Sequence, residues 1–108
     1  MIVVPTALPE VLLITPRIFC DNRGAFWETW NQKACQDAGL PSIWVQDNAS
    51  TSARNVVRGM HYQVIQPQGK LVRVTCGAVQ DVAVDLRRSS PNFGRHVAVE
   101  LSAETGQM

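Results

Sequence analysis

The sequence has no strong excess of charge of either sign and no long apolar run. Ten Lys and Arg residues stand against nine Asp and Glu residues among 108, so no broad basic field exists to attract nucleic acid or an anionic membrane. No apolar run approaches the length of a membrane-spanning helix. The apolar patches of the N-terminus are interrupted by Pro5, Pro9 and Glu10, and no cationic segment precedes them, so we expect no signal peptide. These absences predict a soluble, cytoplasmic protein.

Cysteines and cofactor motifs are equally scarce. Cys20, Cys35 and Cys76 are odd in number and widely spaced, which fits neither a disulfide framework nor a CxxC metal site and indicates buried thiols in a reducing compartment. A metal site needs three or four ligands, but His61 and His96 are far apart and have no second ligand near them in sequence. Neither a glycine-rich phosphate loop nor a dinucleotide fingerprint is present. We therefore expect no metal and no cofactor.

The remaining pattern is that of a small all-β protein. At 108 residues the chain is long enough for one domain, residues 1–108, which buries roughly two thirds of its unfolded surface. Short apolar runs separated by turn residues predict about seven strands and one helix, which favours an antiparallel sandwich or barrel. The clearest predicted strands are 11–15, 43–46, 71–76, 79–86 and 96–101, and the predicted loops are 16–24, with a polar turn at 21–24, and 87–94.

One helix is predicted over residues 29–39. Thr29 followed by Gln32 matches the capping-box pattern, and Gly39 stands where a left-handed C-terminal cap belongs. Asp81 and Asp85 fall on the polar side of the strand predicted at 79–86. They could orient His61 or pair with Arg73, but carboxylates on the polar side of a strand are usually solvated, and we expect that here. After the last strand, residues 102–108 offer no further packing element.

The stretch 56–71 concentrates the residues best suited to chemistry. The pKa of a histidine lies close enough to neutrality for His61 to remove a proton from carbon, Lys70 can stabilise an oxyanion, and Arg58 can bind a phosphate. This set suits proton abstraction beside a carbonyl. In a plain strand Arg58 and His61 would face opposite sides, so we predict a bulge at Gly59 that brings them together. The alternative is that His61 is an ordinary structural histidine.

Other polar residues have weaker functional signals. Gln46 and Asn48 could bind a sugar or a base, although a turn with local side-chain hydrogen bonds explains them equally well. Arg23 lies in the polar turn at 21–24 and Glu28 follows it. From their local sequence, both are ordinary solvated charges.

Six segments together carry a family resemblance. They read VVRGMHYQ, QGKLVRV, GAVQDVAVDLRRSSPNFG, VELSAE, DNRGAFWETWNQKA and VQDNAS. In these segments, which are spread over essentially the whole chain, the sequence closely resembles the dTDP-4-dehydrorhamnose 3,5-epimerase family of cupin-fold isomerases. The resemblance implies a jelly-roll barrel, usually a homodimer that exchanges N-terminal strands, acting on dTDP-4-dehydro-6-deoxyglucose in dTDP-rhamnose biosynthesis.

The resemblance also implies roles for individual residues. His61 would be the base that removes the C3 and C5 protons, Lys70 would stabilise the enolate oxygen at C4, and Arg58 would contact the substrate. Five further residues match positions that line the nucleotide-sugar site, partly from the partner subunit: Arg23, Glu28, Gln46, Asp47 and Asn48.

The sequence departs from the family's pattern at its C-terminus. Family members continue into a run with a second histidine, a proton-returning tyrosine, an acid that orients the base, and strands that close the barrel. The expectation is an incomplete barrel, truncated at the C-terminus, and two alternatives to the epimerase stay open. One is an inactive nucleotide-sugar-binding or dimerisation module, and the other is a related dTDP-sugar ketoisomerase. Gln80, where the family often has an aromatic residue, is expected to point toward the core.

Overall fold

Six short strands pair as three antiparallel hairpins, and one short helix lies between the second and third of them. A computed structural model describes all of residues 1–108. The elements are β1 (Ile2–Pro5), β2 (Leu12–Thr15), β3 (Ile18–Asp21), β4 (Gly24–Trp27), α1 (Gln32–Asp37), β5 (Ala78–Val84) and β6 (His96–Ser102). Each hairpin is its own two-stranded sheet, in the order β1–β2, β3–β4 and β5–β6. The mainly antiparallel β composition with one peripheral helix agrees with the prediction.

The first hairpin forms because an apolar run finds a partner at the N-terminus. Strand β2 falls where the sequence predicted a strand, and it pairs with β1, which was not predicted, from Ile2 opposite Thr15 to Pro5 opposite Leu12. Its connecting turn is closed by the Thr6 amide, which donates to the Val11 carbonyl at 3.0 Å. Leu8, inside this turn, is buried, so the turn packs on the rest of the molecule.

The second hairpin forms where a loop was predicted at 16–24, so that prediction is wrong. Residues Ile18–Asp21 form β3 and pair with β4, because the four residues between Pro16 and the polar turn are enough for a strand when the partner follows at once. The polar turn itself is confirmed. The Arg23 amide donates to Asp21 Oδ1 at 2.8 Å, and Gly24 takes a φ of 137° that suits glycine alone.

Helix α1 begins later than predicted. Its N-cap is Asn31, whose Oδ1 accepts from the Ala34 amide at 2.9 Å, so the capping role predicted for Thr29 is wrong. The C-terminal prediction is confirmed: Gly39 has φ 69°, its amide donates to the Gln36 carbonyl, and the Leu40 amide donates to the Cys35 carbonyl. This pair of hydrogen bonds is a Schellman motif.

The third hairpin is the longest. Strands β5 and β6 pair over seven residues each, from Ala78 opposite Ser102 to Val84 opposite His96, close to the predicted bounds.

An apolar groove lies between the first and third hairpins. It is lined from one side by Leu12 and Leu13 and from the other by Val97, Val99 and Leu101, together with Asp81 and Ala83. Gln80 alternates onto the opposite, exposed face, so the prediction that it points toward the core is wrong.

The connection between β5 and β6 is organised around Asp85. The Asp85 amide donates to the Arg95 carbonyl, and the Gly94 amide donates to the Asp85 carbonyl at 2.8 Å. The Asp85 side chain is only 3% exposed and accepts from Arg87 and Ser90. The prediction that this carboxylate is solvated is therefore wrong, because the turn folds back and places two donors over it.

The C-terminal residues pack, contrary to the prediction for 102–108. Met108 and Ile14 exchange two backbone hydrogen bonds, at 2.8 and 3.0 Å, so Met108 lies on the outer edge of β2. Gln107 Nε2 donates to Thr15 Oγ1 at 3.1 Å. Gly106 is buried against the Trp27 ring and Pro16.

Residues 41–77 contain no strand, so the strands predicted at 43–46 and 71–76 and the bulged strand around Gly59 are wrong. Alternation creates a strand preference, but backbone N–H and C=O groups also need a partner strand. Within 41–76 one backbone hydrogen bond forms, from the Val56 amide to the Ala53 carbonyl. Apolar side chains stay exposed, with Val45 at 95% and Val57 at 92%.

The helix α1 has six residues, so it is too short to span a bilayer, and no other helix could do so.

Candidate functional site

Arg58, His61 and Lys70 all lie on the exposed segment 41–77. Arg58 is held by two hydrogen bonds: its Nε donates to Ser52 Oγ at 2.9 Å and its Nη2 donates to the Thr51 carbonyl at 3.0 Å. These contacts turn the guanidinium toward the polar stretch before it and leave Nη1 available for an anion.

His61 makes no hydrogen bond to another residue, so both ring nitrogens can meet a substrate. The Lys70 ammonium donates to Gln68 Oε1 at 2.8 Å and has further protons for a second acceptor. No hydrogen bond joins His61 to Lys70 or either of them to Arg58. His61, the predicted base, and Lys70, the predicted oxyanion partner, are thus both exposed to solvent, and no hydrogen bond joins them.

The polar stretch at 46–48 brings together two of the predicted residues. Gln46 Nε2 donates to Asn48 Oδ1 at 3.1 Å, while Asp47 is exposed between them. The Gln46 carbonyl oxygen and the Asn48 amide nitrogen remain available. Two such groups can accept from and donate to the hydroxyls of a sugar.

Arg23 lies apart from these residues, on the turn of the second hairpin. Its Nη2 contacts Asp21 Oδ2 at 2.6 Å, and its side chain is largely exposed. Hydrogen bonds from the Arg23 side chain and then from its backbone hold the pKa of Asp21 below the ordinary value. Arg23 is therefore occupied by its own turn and meets no other predicted site residue.

Glu28 borders a cavity of about 280 Å³ between the second hairpin and α1. Asn31 Nδ2 donates to Glu28 Oε2 at 3.0 Å, which leaves Oε1 unengaged at the cavity. Three aromatic side chains, Phe19, Phe26 and Trp30, line the same cavity, along with Arg17. Flat rings beside a carboxylate suit a planar heterocycle that stacks and donates an N–H.

The aromatic lining was not predicted from the sequence. The density of aromatic residues at 26–30, next to the predicted Glu28, was the signal that could have found it. The guanidinium of Arg17 stacks 4.7 Å from the centre of the Phe19 ring, which fixes that ring at the cavity wall. No group of three or more His, Cys, Asp or Glu side chains is placed to hold a metal ion.

Comparisons with known proteins give the family. Residues 5–108 match the family described as dTDP-4-dehydrorhamnose 3,5-epimerase. The enzyme of that name from Pseudomonas aeruginosa is 60% identical over 99 residues, which are 91% of this chain and 55% of the relative. The one from Salmonella typhimurium is 51% identical over 106 residues and is covered to 58%. The chain thus spans little more than half the length of the curated relatives it matches.

Solved structures agree. A Legionella pneumophila 3,5-epimerase in complex with dTDP-4-keto-L-rhamnose superposes with a TM-score of 0.91 at 45% identity, covering 97% of this chain and 56% of the other. A Bacillus anthracis dTDP-4-dehydrorhamnose 3,5-epimerase with TDP and PPi bound gives 0.90 at 37% identity, covering 97% and 61%. Over the part of the relatives that the chain spans, its fold is that of these cupin-type epimerases, which confirms the predicted fold class. The chain belongs to the dTDP-4-dehydrorhamnose 3,5-epimerase family.

Proposed function

We propose that the chain serves the epimerisation of dTDP-4-dehydro-6-deoxyglucose at C3 and C5, which forms dTDP-4-dehydro-rhamnose in dTDP-rhamnose biosynthesis. The observation that carries this proposal is the family match over residues 5–108, which includes His61, Lys70 and Arg58 in their motifs.

The chemistry needs one base and one oxyanion partner. His61 removes the proton from C3 or C5, and the electron pair of the broken C–H bond moves into the C4 carbonyl to form an enolate. Lys70 stabilises the enolate oxygen by charge and hydrogen bonding. Because the same ketone acidifies both C–H bonds, the same pair of residues serves both carbons. Water then delivers a proton to the opposite face of the same carbon, the C4 ketone re-forms, and the carbon is inverted.

The rest of the predicted site binds the nucleotide sugar. Arg58 Nη1 donates a hydrogen bond to a diphosphate oxygen. Gln46, Asp47 and Asn48 contact the sugar. In the cavity of the second hairpin, the Glu28 carboxylate accepts the imide N–H of thymine while the aromatic rings stack on the base. The nucleotides bound to the two solved relatives support this substrate class.

Arg23 lies on the turn of the second hairpin and Glu28 directly follows its last strand, whereas Arg58, His61 and Lys70 lie on the segment 41–77. No hydrogen bond joins the two groups. We propose that they complete a site between two copies of the chain, in a homodimer that exchanges N-terminal strands. The native mass of the purified chain tests this point.

A second candidate is nucleotide-sugar binding without turnover. It is favoured by the absence of any hydrogen bond between His61 and another residue, since a base that must hold one orientation is usually fixed by a neighbour. In this case the chain captures the thymidine diphosphate portion of a ligand but exchanges no proton with it.

The two candidates separate in deuterated water. Incubation of the chain with dTDP-4-dehydro-6-deoxyglucose in D₂O is followed by proton NMR and by mass spectrometry of the sugar. The epimerase predicts deuterium at C3 and C5 together with inverted product, both abolished by His61→Asn and retained by the matched control His96→Asn. Saturable binding without deuterium incorporation supports the binding module, and neither incorporation nor binding refutes both candidates.

A further inference from the structure

A cluster of four polar side chains joins the turn of the first hairpin to the turn of the third. Arg87 Nη1 contacts Glu10 Oε1 at 2.9 Å, across 77 residues of sequence. The same guanidinium binds Asp85 through two bonds, Nη2 to Oδ2 at 2.8 Å and Nε to Oδ1 at 3.0 Å. Ser90 Oγ donates to Asp85 Oδ2 at 2.6 Å. Arg87 is thus shared between a carboxylate of its own turn and one of a distant turn.

The two carboxylates differ in burial, and this difference decides which bond can open. The Asp85 side chain is 3% exposed, so separation from Arg87 would leave a carboxylate out of water without its counter-ion. The Glu10 side chain is 61% exposed and loses nothing comparable when it returns to water. Arg87 therefore stays with Asp85, and the bond to Glu10 is the one that breaks and re-forms.

Apart from the packing of the buried Leu8 in the turn, the Glu10 bond is the one polar link between the turn of the first hairpin and the third hairpin. The first and third hairpins are separate sheets, and the backbone bonds of Met108 and the side-chain bond of Gln107 all reach the far end of β2, at Ile14 and Thr15. Glu10 is at the other end, in the turn itself. Between these two ends lies the apolar groove of about 50 Å³ that Leu12, Leu13, Val97 and Val99 line.

We propose that Glu10 and Arg87 form an ionic latch whose opening lets the turn of the first hairpin swing away from the third hairpin and widens the apolar groove. The contacts of Met108 act as the fixed end of this movement. Opening is favoured by high ionic strength, because salt screens exposed charge pairs more than buried ones. This device does not depend on the proposed catalytic or nucleotide-binding residues.

The test measures solvent access to the groove. The full chain, labelled at Leu and Val methyl groups, is titrated with a soluble paramagnetic probe, and the relaxation enhancement of the Val97 and Val99 methyls is compared between variants. Glu10→Ala is expected to raise the open-to-closed ratio by about two- to fivefold, the range of exposed ion pairs. Glu100→Ala, which removes an exposed carboxylate of β6 that has no ion pair, is the matched control and is expected to change nothing.

A salt titration of the unmutated chain repeats the test without a substitution. Raising the salt concentration to about 1 M, where the Debye length is about 3 Å, is expected to reproduce most of the Glu10→Ala effect and to add little to that variant. The Gly94 amide, bonded to the Asp85 carbonyl, serves as a marker of intact structure and is expected to stay protected from exchange. Equal enhancement in Glu10→Ala and Glu100→Ala, or a groove that salt leaves unchanged, overturns the latch.

Discussion

Of the glycines in the chain, Gly106 is the one whose replacement by alanine is expected to lower the stability most. Its φ of +60° is costly for residues with a Cβ, by about 1–2 kcal/mol. A Cβ built there would lie 2.9 Å from Trp27 Nε1, 3.2 Å from Trp27 Cε2 and 3.3 Å from Pro16 Cγ. These neighbours belong to a buried contact and must shift, which costs about 1–3 kcal/mol for overpacking. Gly106→Ala is therefore expected to lower the free energy of unfolding by about 2–5 kcal/mol.

The assay is urea and thermal unfolding, followed by tryptophan fluorescence and circular dichroism. For a domain of this size the loss corresponds to a fall in Tm of more than about 8 °C. The packing of the C-terminal segment on Trp27 should loosen first, since Gly106 sits inside that contact.

Alanine substitutions at two other glycines separate the cost of the backbone conformation from the cost of the steric clash. Gly94 has φ +78° but open space where a Cβ would go, so Gly94→Ala should show the strain alone, about 1–2 kcal/mol. Gly69 has neither a positive φ nor a close neighbour, and Gly69→Ala should be neutral or slightly stabilising. If Gly106→Ala proves no worse than Gly94→Ala, the proposed collision with Trp27 is refuted and the C-terminal segment does not pack as described.

Three further outcomes are expected. Asn31→Ala should destabilise α1 by about 1 kcal/mol and speed exchange of the Ala34 amide, whereas Thr29→Ala should not, because Asn31 is the N-cap. Hydrogen bonds from Arg87 and then Ser90 hold the pKa of Asp85 well below its usual range, so its contribution to stability is present above about pH 4 and is lost as the pH falls further. Thermal unfolding between pH 7 and pH 2 should therefore show a steeper acid loss for the unmutated chain than for Asp85→Asn, and parallel curves would contradict this assignment. The prediction of buried thiols is confirmed for Cys35 and wrong for Cys20 and Cys76, which are exposed. With a thiol reagent, Cys20 and Cys76 should react at once and Cys35 only on unfolding, so three equally fast thiols would argue against the packing of α1.

Much of the local structure could be predicted from the sequence because it depends on neighbouring residues. The third hairpin followed from alternation on both sides of a turn, and Gly39 followed from the left-handed conformation that ends a helix. The wrong prediction of Thr29 as the N-cap also has a local cause. Asn31, two residues later, is a competing N-cap residue, and α1 begins after it. The motif residues could be placed in a family from sequence, but not relative to one another.

The sequence by itself determined the family, the mainly β composition and the chemical groups that the chain carries, because these depend on residue identity and on short-range periodicity. Only the tertiary structure decided which strand-like runs became strands. Those at 43–46 and 71–76 have the alternation but no partner for their backbone groups, whereas Ile18–Asp21 has a partner immediately after it. Tertiary structure also decided that Asp85 is buried and that Met108 pairs with Ile14. Burial and long-range pairing depend on what the rest of the chain brings alongside, which no local pattern records.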